Sequence, residues 1–453
     1  MTVNVDSPET QDRLQRLTEA MQSGTILTVR RMLNDLHPAE IAHLLESLPP
    51  GKRNFVWELV DPDFDGEVLV LVNDEVRAGL IRAMDAEELV AATEGLDTDD
   101  LADLIHDLPD AVIHEVLRSL DIQNRRRLEA VLSYPEDSAG GLMNTDTITV
   151  RADVTLDVVL RYLRMRGELP DLTDSLIVVN RFDMYMGLLP LRDLLTKQPG
   201  LTVAEVMDRS LEGIEANTPA SEVAALFEHR DLVSAPVVDD DGRLLGRITI
   251  DDVVDVIREE ADHAVLGMAG FQEEEDLFAP VVPSTRRRAF WLGINLLTAF
   301  LASWVIGLFE GTLQQVVALA VLMPIVASMG GIAGSQTLTL VIRGLALGQV
   351  GSGNTRWLIF KELAVGFLNG LLWALAVAAV AAVWFDSVDI GAVIAAAMII
   401  NLVAAALSGV GIPLLLRRLG IDPALAGSVV LTTITDVVGF MAFLGLGTLF
   451  LLN

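Results

Sequence analysis

Residues 424–452 read ALAGSVVLTTITDVVGFMAFLGLGTLFLL, with one charged side chain, Asp436, near the middle. At 1.5 Å per residue the run is long enough to cross about 30 Å of hydrocarbon. An ionised carboxylate at that depth costs about 2.5–3.5 kcal/mol on insertion scales, and such residues usually mark an ion or proton path. No lysine or arginine lies at comparable depth in the other apolar stretches. Two readings follow: a cation held against the carboxylate, or a protonated Asp436 hydrogen-bonded to a neighbouring hydroxyl. Asp422, two residues before the run, would serve the mouth of such a path or cap the helix through Asp422-Pro423.

Working outward, four more apolar stretches cover 289–309, 313–342, 357–384 and 390–416, giving five expected membrane helices. Loop charges set their orientation. Arg286, Arg287 and Arg288 precede the first stretch; Arg343, Arg356 and Lys361 lie between the second and third; Arg417 and Arg418 follow the fourth. The opposite loops carry Glu310, Asp386 and Asp389 and no base. The positive-inside rule puts the basic loops and the N-terminus in the cytoplasm and the C-terminus outside. In the second stretch Met323-Pro324 is expected to interrupt the helix, and Ser328-Met329-Gly330-Gly331-Ile332-Ala333-Gly334-Ser335-Gln336-Thr337 brings glycines and hydroxyls to membrane depth. Such a segment lines a wet cavity or forms a small-residue packing seam.

The rest of the chain is a polyanion. After residue 288 the acids are Glu310, Glu362, Asp386, Asp389, Asp422 and Asp436, and the bases Arg343, Arg356, Lys361, Arg417 and Arg418. All but one unit of the net charge of −31 therefore falls on residues 1–288. Nucleic-acid binding needs the opposite sign. With no cysteine in the chain, disulfides, thiolate metal sites and cysteine catalysis are excluded. No apolar leader precedes the acidic N-terminus, so this block is expected in the cytoplasm. No glycine-rich phosphate loop or catalytic triad is present, which argues against an enzyme.

Residues 36–131 hold a hidden repeat. Leu36, Leu48, Val60, Val72, Met84, Leu96, Leu108 and Leu120 recur every twelve residues, each followed by a helix-start residue such as His37-Pro38, Asp61-Pro62 or Asp121. The unit reads as one short helix and a tight turn, stacked into an all-helical superhelix. Residues 143–262 read as two copies of an α/β unit. Strand signals lie at 147–150, 176–179, 235–238 and 245–250, and helical runs at 154–166, 191–197, 221–230 and 251–260. The hairpin Val237 to Gly246 feeding Thr249-x-x-Asp252 resembles the ending of paired CBS domains, many of which bind adenine nucleotides through this Thr and Asp. Pro190 stands where the first copy would carry the hydroxyl. ATP at Thr249 and Asp252 is one expectation; Asp252 as a plain helix cap is the other.

The order of these parts resembles the MgtE family of bacterial magnesium channels and transporters over nearly the whole chain. Its most specific pieces are Tyr134-Pro135-Glu136-Asp137-Ser138-Ala139-Gly140-Gly141-Leu142-Met143, the segment from Ser328 to Thr339, and Asp422-Pro423-Ala424-Leu425 with Thr432-Thr433-Ile434-Thr435-Asp436. The resemblance implies a helical domain at 1–135, a CBS pair at 136–200 and 201–261, a connecting helix at 262–288 acting as a pore plug, and a five-helix membrane domain at 289–453. It implies a homodimer in the inner-membrane bilayer, with a Mg²⁺ path on its twofold axis. Asp436 would be the central ion-binding carboxylate, with Gly330, Gly331, Gly334, Gln336, Thr337 and Thr432 along the path and Asp422 at its mouth. Mg²⁺ dehydrates reluctantly and prefers octahedral oxygen, which suits a few carboxylates and carbonyls.

The resemblance also implies closure by cytoplasmic Mg²⁺ bound at Asp99, Asp103, Asp231, Asp252, Asp255 and Glu260, relieving self-repulsion of the acidic block. Each of these acids has a plainer reading as a solvated surface charge. Two positions differ from the family pattern: Ile332 stands where an asparagine is usual, and Ala261-Asp262-His263-Ala264 keeps one acid where adjacent acids are usual. His263 would supply a pH dependence instead. Transport of Co²⁺, Ni²⁺ or Mn²⁺, or a non-conducting CBS-regulated sensor, are the alternatives; the absence of intramembrane histidine and cysteine favours a hard ion.

Overall fold

The computed structural model describes residues 26–268, 276–346, 348–351 and 353–452. The twelve-residue period sets the helix starts. After α1 (Ile26–Asn34) come α2 (Pro38–Glu46), α3 (Pro50–Trp57), a 3-10 turn at Pro62–Phe64 leading into α4 (Asp65–Leu71), α5 (Asp74–Ile81), α6 (Ala86–Ala92), α7 (Thr98–Asp107), α8 (Asp110–Ser119) and α9 (Ile122–Val131). Caps fix several of the starts. Asp85 accepts the N–H groups of Glu87 and Glu88 at 2.9 Å each, and Asp121 those of Gln123 and Asn124. The residue just before each cap turns inward: Leu36, Leu48, Val60, Val72 and Leu108 are buried, and Met84, Leu96 and Leu120 pack against them. None of these helices exceeds 10 residues, so each depends on its neighbours for burial.

Two three-stranded sheets follow, with the same topology. β1 (Thr149–Arg151), α10 (Leu156–Arg166), β2 (Ser175–Val179), β3 (Tyr185–Pro190), α11 (Leu191–Thr196) and α12 (Val203–Val206) make the first copy. β4 (Ile214–Glu215), α13 (Ala220–Arg230), β5 (Ser234–Val238), β6 (Leu244–Thr249) and α14 (Ile250–Met268) make the second. In each, the first strand runs parallel to the middle one and the third antiparallel, with a register shift at Val178/Val179 and at Val237/Val238. The first copy keeps its own core around Leu156 and Leu176, whereas the second joins one continuous apolar cluster with the helical domain through Ala139 and Met143.

The chain divides into two compact units, Met1–Glu260 with Glu274–Ala279, and Ala261–Glu273 with Pro280–Asn453. Asp276 belongs to the first. Its carboxylate lies 2.8 Å from the Arg53 guanidinium, both side chains almost fully buried, and its N–H donates to Glu75 Oε2 at 2.9 Å. Arg53 Nε also donates to the Leu45 carbonyl at 2.8 Å. A single connecting helix over 262–288 is not what forms: α14 reaches Met268, residues 276–280 are non-helical, and a new helix opens at Val281. The expectation for 269–275 lies outside the described residues.

In the second unit α15 (Val281–Gly307), a short α16 (Glu310–Gln315), α17 (Val317–Ala346), α18 (Thr355–Trp384), α19 (Val388–Arg418) and α20 (Pro423–Leu451) follow. All but α16 are long and apolar enough to cross a membrane. α19 is the centre of the bundle, packing on α17, α18 and α20, while α15 packs on α20. The expected break at Met323-Pro324 is absent. Pro324 sits inside a continuous α17, because it removes only the bond to the carbonyl four residues back and the bundle holds the helix on either side.

The buried Arg53–Asp276 pair carries a prediction. Removing one partner leaves the other charge buried and unpaired, at a cost of about 3 kcal/mol or more. Arg53→Ala is expected to lower the melting temperature of the helical domain by several degrees in thermal unfolding of the full chain; an unchanged melt would contradict the pairing.

Candidate functional site

Helical geometry sorts the glycine-rich segment of α17 into two faces. Ser328, Gly331, Ile332, Ser335, Gln336 and Thr339 line a groove of about 930 Å³, closed on its other side by Thr432 and Asp436 of α20. Gly330, Gly334 and Thr337 are buried on the opposite face. Of the residues expected along the path, the structure thus brings Gly331, Gln336, Thr432 and Asp436 together. It sets Gly330, Gly334 and Thr337 against neighbouring helices: a Cβ on Gly330 would lie 2.2 Å from the Asn401 amide nitrogen, and one on Gly334 would lie 2.8 Å from Leu431.

Asp436 is half-buried and, among the described residues, accepts no hydrogen bond and forms no ion pair. The hydroxyls beside it are committed to backbone: Thr432 Oγ1 donates to Ser428 O at 2.9 Å, Thr433 Oγ1 to Val429 O at 2.7 Å, and Thr435 Oγ1 to Thr432 O at 3.0 Å. No hydroxyl is hydrogen-bonded to Asp436 among the described residues, so the reading of it as a protonated partner of a nearby hydroxyl finds no partner there. Ile332 is 57% exposed and faces the groove, so the wall is apolar where the family pattern has an amide. Asp422 caps α20 by accepting the Ala424 N–H at 2.9 Å, and its other oxygen lies 3.1 Å from Nε2 of His263 on α14. It thus combines the capping role with a tie to the connecting helix.

A second membrane carboxylate escaped the sequence reading. Glu362 is buried on α18, accepting Thr337 Oγ1 at 3.1 Å and pairing with Lys361. In the sequence reading it stood only among the acids counted after residue 288. The usable signal was the stripe Glu362, Gly366, Gly370 and Ala374, one residue every turn and all buried, which marks a helix-packing face.

In the first unit α7 and the start of α14 meet along an acidic seam. Asp99 is buried and accepts the Asn144 amide at 3.2 Å. Burial pushes the Asp252 carboxyl well above the usual range, with Asp99 and Asp251 adding to it, and raises Asp99 in the same way, with Asp97 and Asp251 adding. Burial and neighbouring acids raise Asp100 and Asp103 to about 7 each; for Asp103 the acid that contributes most is Glu136, opposed by the Arg77 guanidinium. Asp255 is raised by burial, countered by Arg258. Thr249 and Asp252, the expected nucleotide residues, are tied to each other: Thr249 Oγ1 donates to Asp252 Oδ2 at 3.1 Å, and also to Asp251. Asp252 therefore caps α14 and faces Asp99.

Asp231 stands apart. It closes α13 in the left-handed conformation (φ 52°), is exposed, and is not among the charges that perturb the seam acids. Glu260 is exposed at the last α14 residue of the first unit. Among the described residues no three acidic or histidine side chains converge closely enough to hold a metal ion; the seam is a set of carboxylates facing one another without a common centre.

The sign of its pH dependence follows. Carboxyls whose folded pKa is raised favour the folded contact below the ordinary carboxylate range and lose that contribution as pH rises through the raised values. In divalent-free buffer the melting temperature of the first unit is expected to fall as pH rises from 5 to 9, and Asp252→Asn to flatten the fall. A melting temperature that rises over this interval would contradict it.

Comparison with known proteins places this chain in context. The divalent cation transporter profile named MgtE matches residues 323–446, the MgtE intracellular N domain 36–137, and the CBS domain 139–200 and 203–259. The chain is 33% identical to the magnesium transporter MgtE of Thermus thermophilus, covering 96% of this chain and 98% of the relative. It is 27% identical to that of Bacillus subtilis, covering 96% and 97%. Among solved structures, the cytosolic domain of the Mg²⁺ channel MgtE in complex with ATP is similar at 34% identity, covering 54% of this chain and 99% of that one, with a TM-score of 0.49.

Proposed function

This chain belongs to the MgtE family of divalent cation transporters, and we propose that it carries Mg²⁺ into the cytoplasm down the electrochemical gradient, through the groove between α17 and α20. The observation that carries the proposal is Asp436, a membrane-depth carboxylate without a protein partner among the described residues, on a groove that is open along one side. A wet path needs that side covered, because hydroxyls, an amide and a carboxylate facing lipid would go unsatisfied. A second copy related by a twofold axis covers it with the same residues and sets two Asp436 carboxylates across the path. Oxygen ligands of this kind grip a hydrated Mg²⁺ without stripping it.

Gating follows from the first unit in this proposal. Cytoplasmic Mg²⁺ offsets the repulsion along the α7–α14 seam and favours the closed state, with Asp99, Asp103, Asp252 and Asp255 as its nearest acids. Asp231 and Glu260 are exposed and lie outside that seam, so they act at a separate ion. The basic loops and the N-terminus face the cytoplasm, and the C-terminus faces outward. His263 ties the connecting helix to Asp422 through their 3.1 Å contact. ATP binding at the CBS pair would have to release Thr249 and Asp252 from their mutual bonds, so nucleotide and seam closure compete.

Mg²⁺ flux into proteoliposomes tests the path. Asp436→Asn is expected to reduce flux at least about tenfold, the scale of a charge lost at membrane depth. Native flux should fall as Mg²⁺ rises on the cytoplasmic face, more sharply at pH 8 than at pH 6, because protons on the raised seam carboxyls compete with the ion. Undiminished flux in Asp436→Asn would refute the path; Co²⁺, Ni²⁺ or Mn²⁺ flux without Mg²⁺ flux would refute the ion.

A further inference from the structure

Asn401 sits in the middle of α19 and is fully buried. It touches both walls of the groove from behind. Its amide nitrogen donates to the Val326 carbonyl of α17 at 2.9 Å. Gly330 of α17 and Gly439 of α20 both face it so closely that a Cβ would lie 2.2 Å and 2.7 Å, respectively, from the same nitrogen. Its Oδ1 is buried with no hydrogen-bond partner.

An amide in this place is a poor choice for packing alone. Its neighbours on the buried face of α19 are Ala397, Ala405 and Gly409, and an apolar side chain would fill the space without burying an unpaired oxygen at membrane depth. The hydrogen bond is what an apolar residue lacks. It anchors the α17 backbone at Val326, directly before the groove-lining Ala327 and Ser328, while Gly439 lies less than one turn beyond Asp436.

We propose that Asn401 is a positioning residue for ion permeation: by bonding Val326 and wedging between Gly330 and Gly439 it sets the distance between α17 and α20, and so the place of Asp436 relative to the opposite wall. The proposal rests on the reading of the groove as the ion path. Hydrated Mg²⁺ is held by geometry more than by many direct ligands, so a shift of the walls changes affinity and ion preference rather than only the amount of folded protein.

The test compares the native chain, Asp436→Asn, Asn401→Leu and the pair Asn401→Ala with Gly330→Ala, as full-length protein in proteoliposomes. Flux is measured against Mg²⁺ concentration and with Ca²⁺ as competitor, normalised to monodisperse protein, with melting temperatures in parallel. The pair returns volume to the seam without returning the hydrogen bond, and decides alone if Asn401→Leu does not fold. Half-saturating Mg²⁺ is expected to rise about tenfold, with stronger Ca²⁺ competition, in the pair as in Asn401→Leu. Native half-saturation and native Ca²⁺ competition in the pair, with Asp436→Asn inactive, would overturn the role of Asn401 and leave the path standing. Normal flux in Asp436→Asn would overturn both.

Discussion

A carboxylate without a base at membrane depth constrains the whole second unit. Asp436 cannot face lipid, and no lysine or arginine in the apolar stretches can neutralise it. α20 turns it toward the face of α17 that carries Ser328, Ser335 and Gln336 beside the apolar Ile332 and Leu340. The remaining helices serve that pairing. α19 fills the space behind both walls, and the glycines of α17 on its inner face let α19 and α20 approach. Glu362, the other buried acid, is answered by Thr337 and Lys361. One membrane carboxylate is satisfied within the bundle, and the other has no partner among the described residues.

The first unit depends on a different opposition. Apolar contact joins the helical domain and the second α/β copy into one cluster through Ala139 and Met143, while Asp99, Asp100, Asp103 and Asp252 crowd the same seam and titrate high. Hydrophobic burial is indifferent to cations, and like-charge repulsion is not. A seam built from both is held by its apolar part while its acidic part answers to pH and ionic conditions.

Periodicity made most of the architecture legible. The twelve-residue spacing located the helix starts from α2 to α9, and uninterrupted apolar length located the membrane helices, because both are read along the chain. What stayed hidden is read across it. The strands Tyr185–Pro190 and Ile214–Glu215 were missed, the second being two residues long. Pro324 read as a break because its effect on α17 depends on the bundle around it. At the groove, the segment Ser328 to Thr337 was legible as special, but the assignment of Gly331 and Gln336 to one face and Gly330, Gly334 and Thr337 to the other needed the helix to be continuous. Glu362 and Asn401 were unremarked because polar residues inside small-residue stripes take their meaning from the helix opposite.

The central claim is that the α17–α20 groove is an aqueous ion path. The chain has no cysteine, so a single introduced thiol reports without background. Ser335→Cys lies on the groove, and Val380→Cys is 61% exposed on the bundle's outer surface at α18. A charged, water-borne thiol reagent should abolish Mg²⁺ flux through Ser335→Cys in proteoliposomes and leave Val380→Cys conducting. Continued flux through a fully labelled Ser335→Cys would contradict the claim.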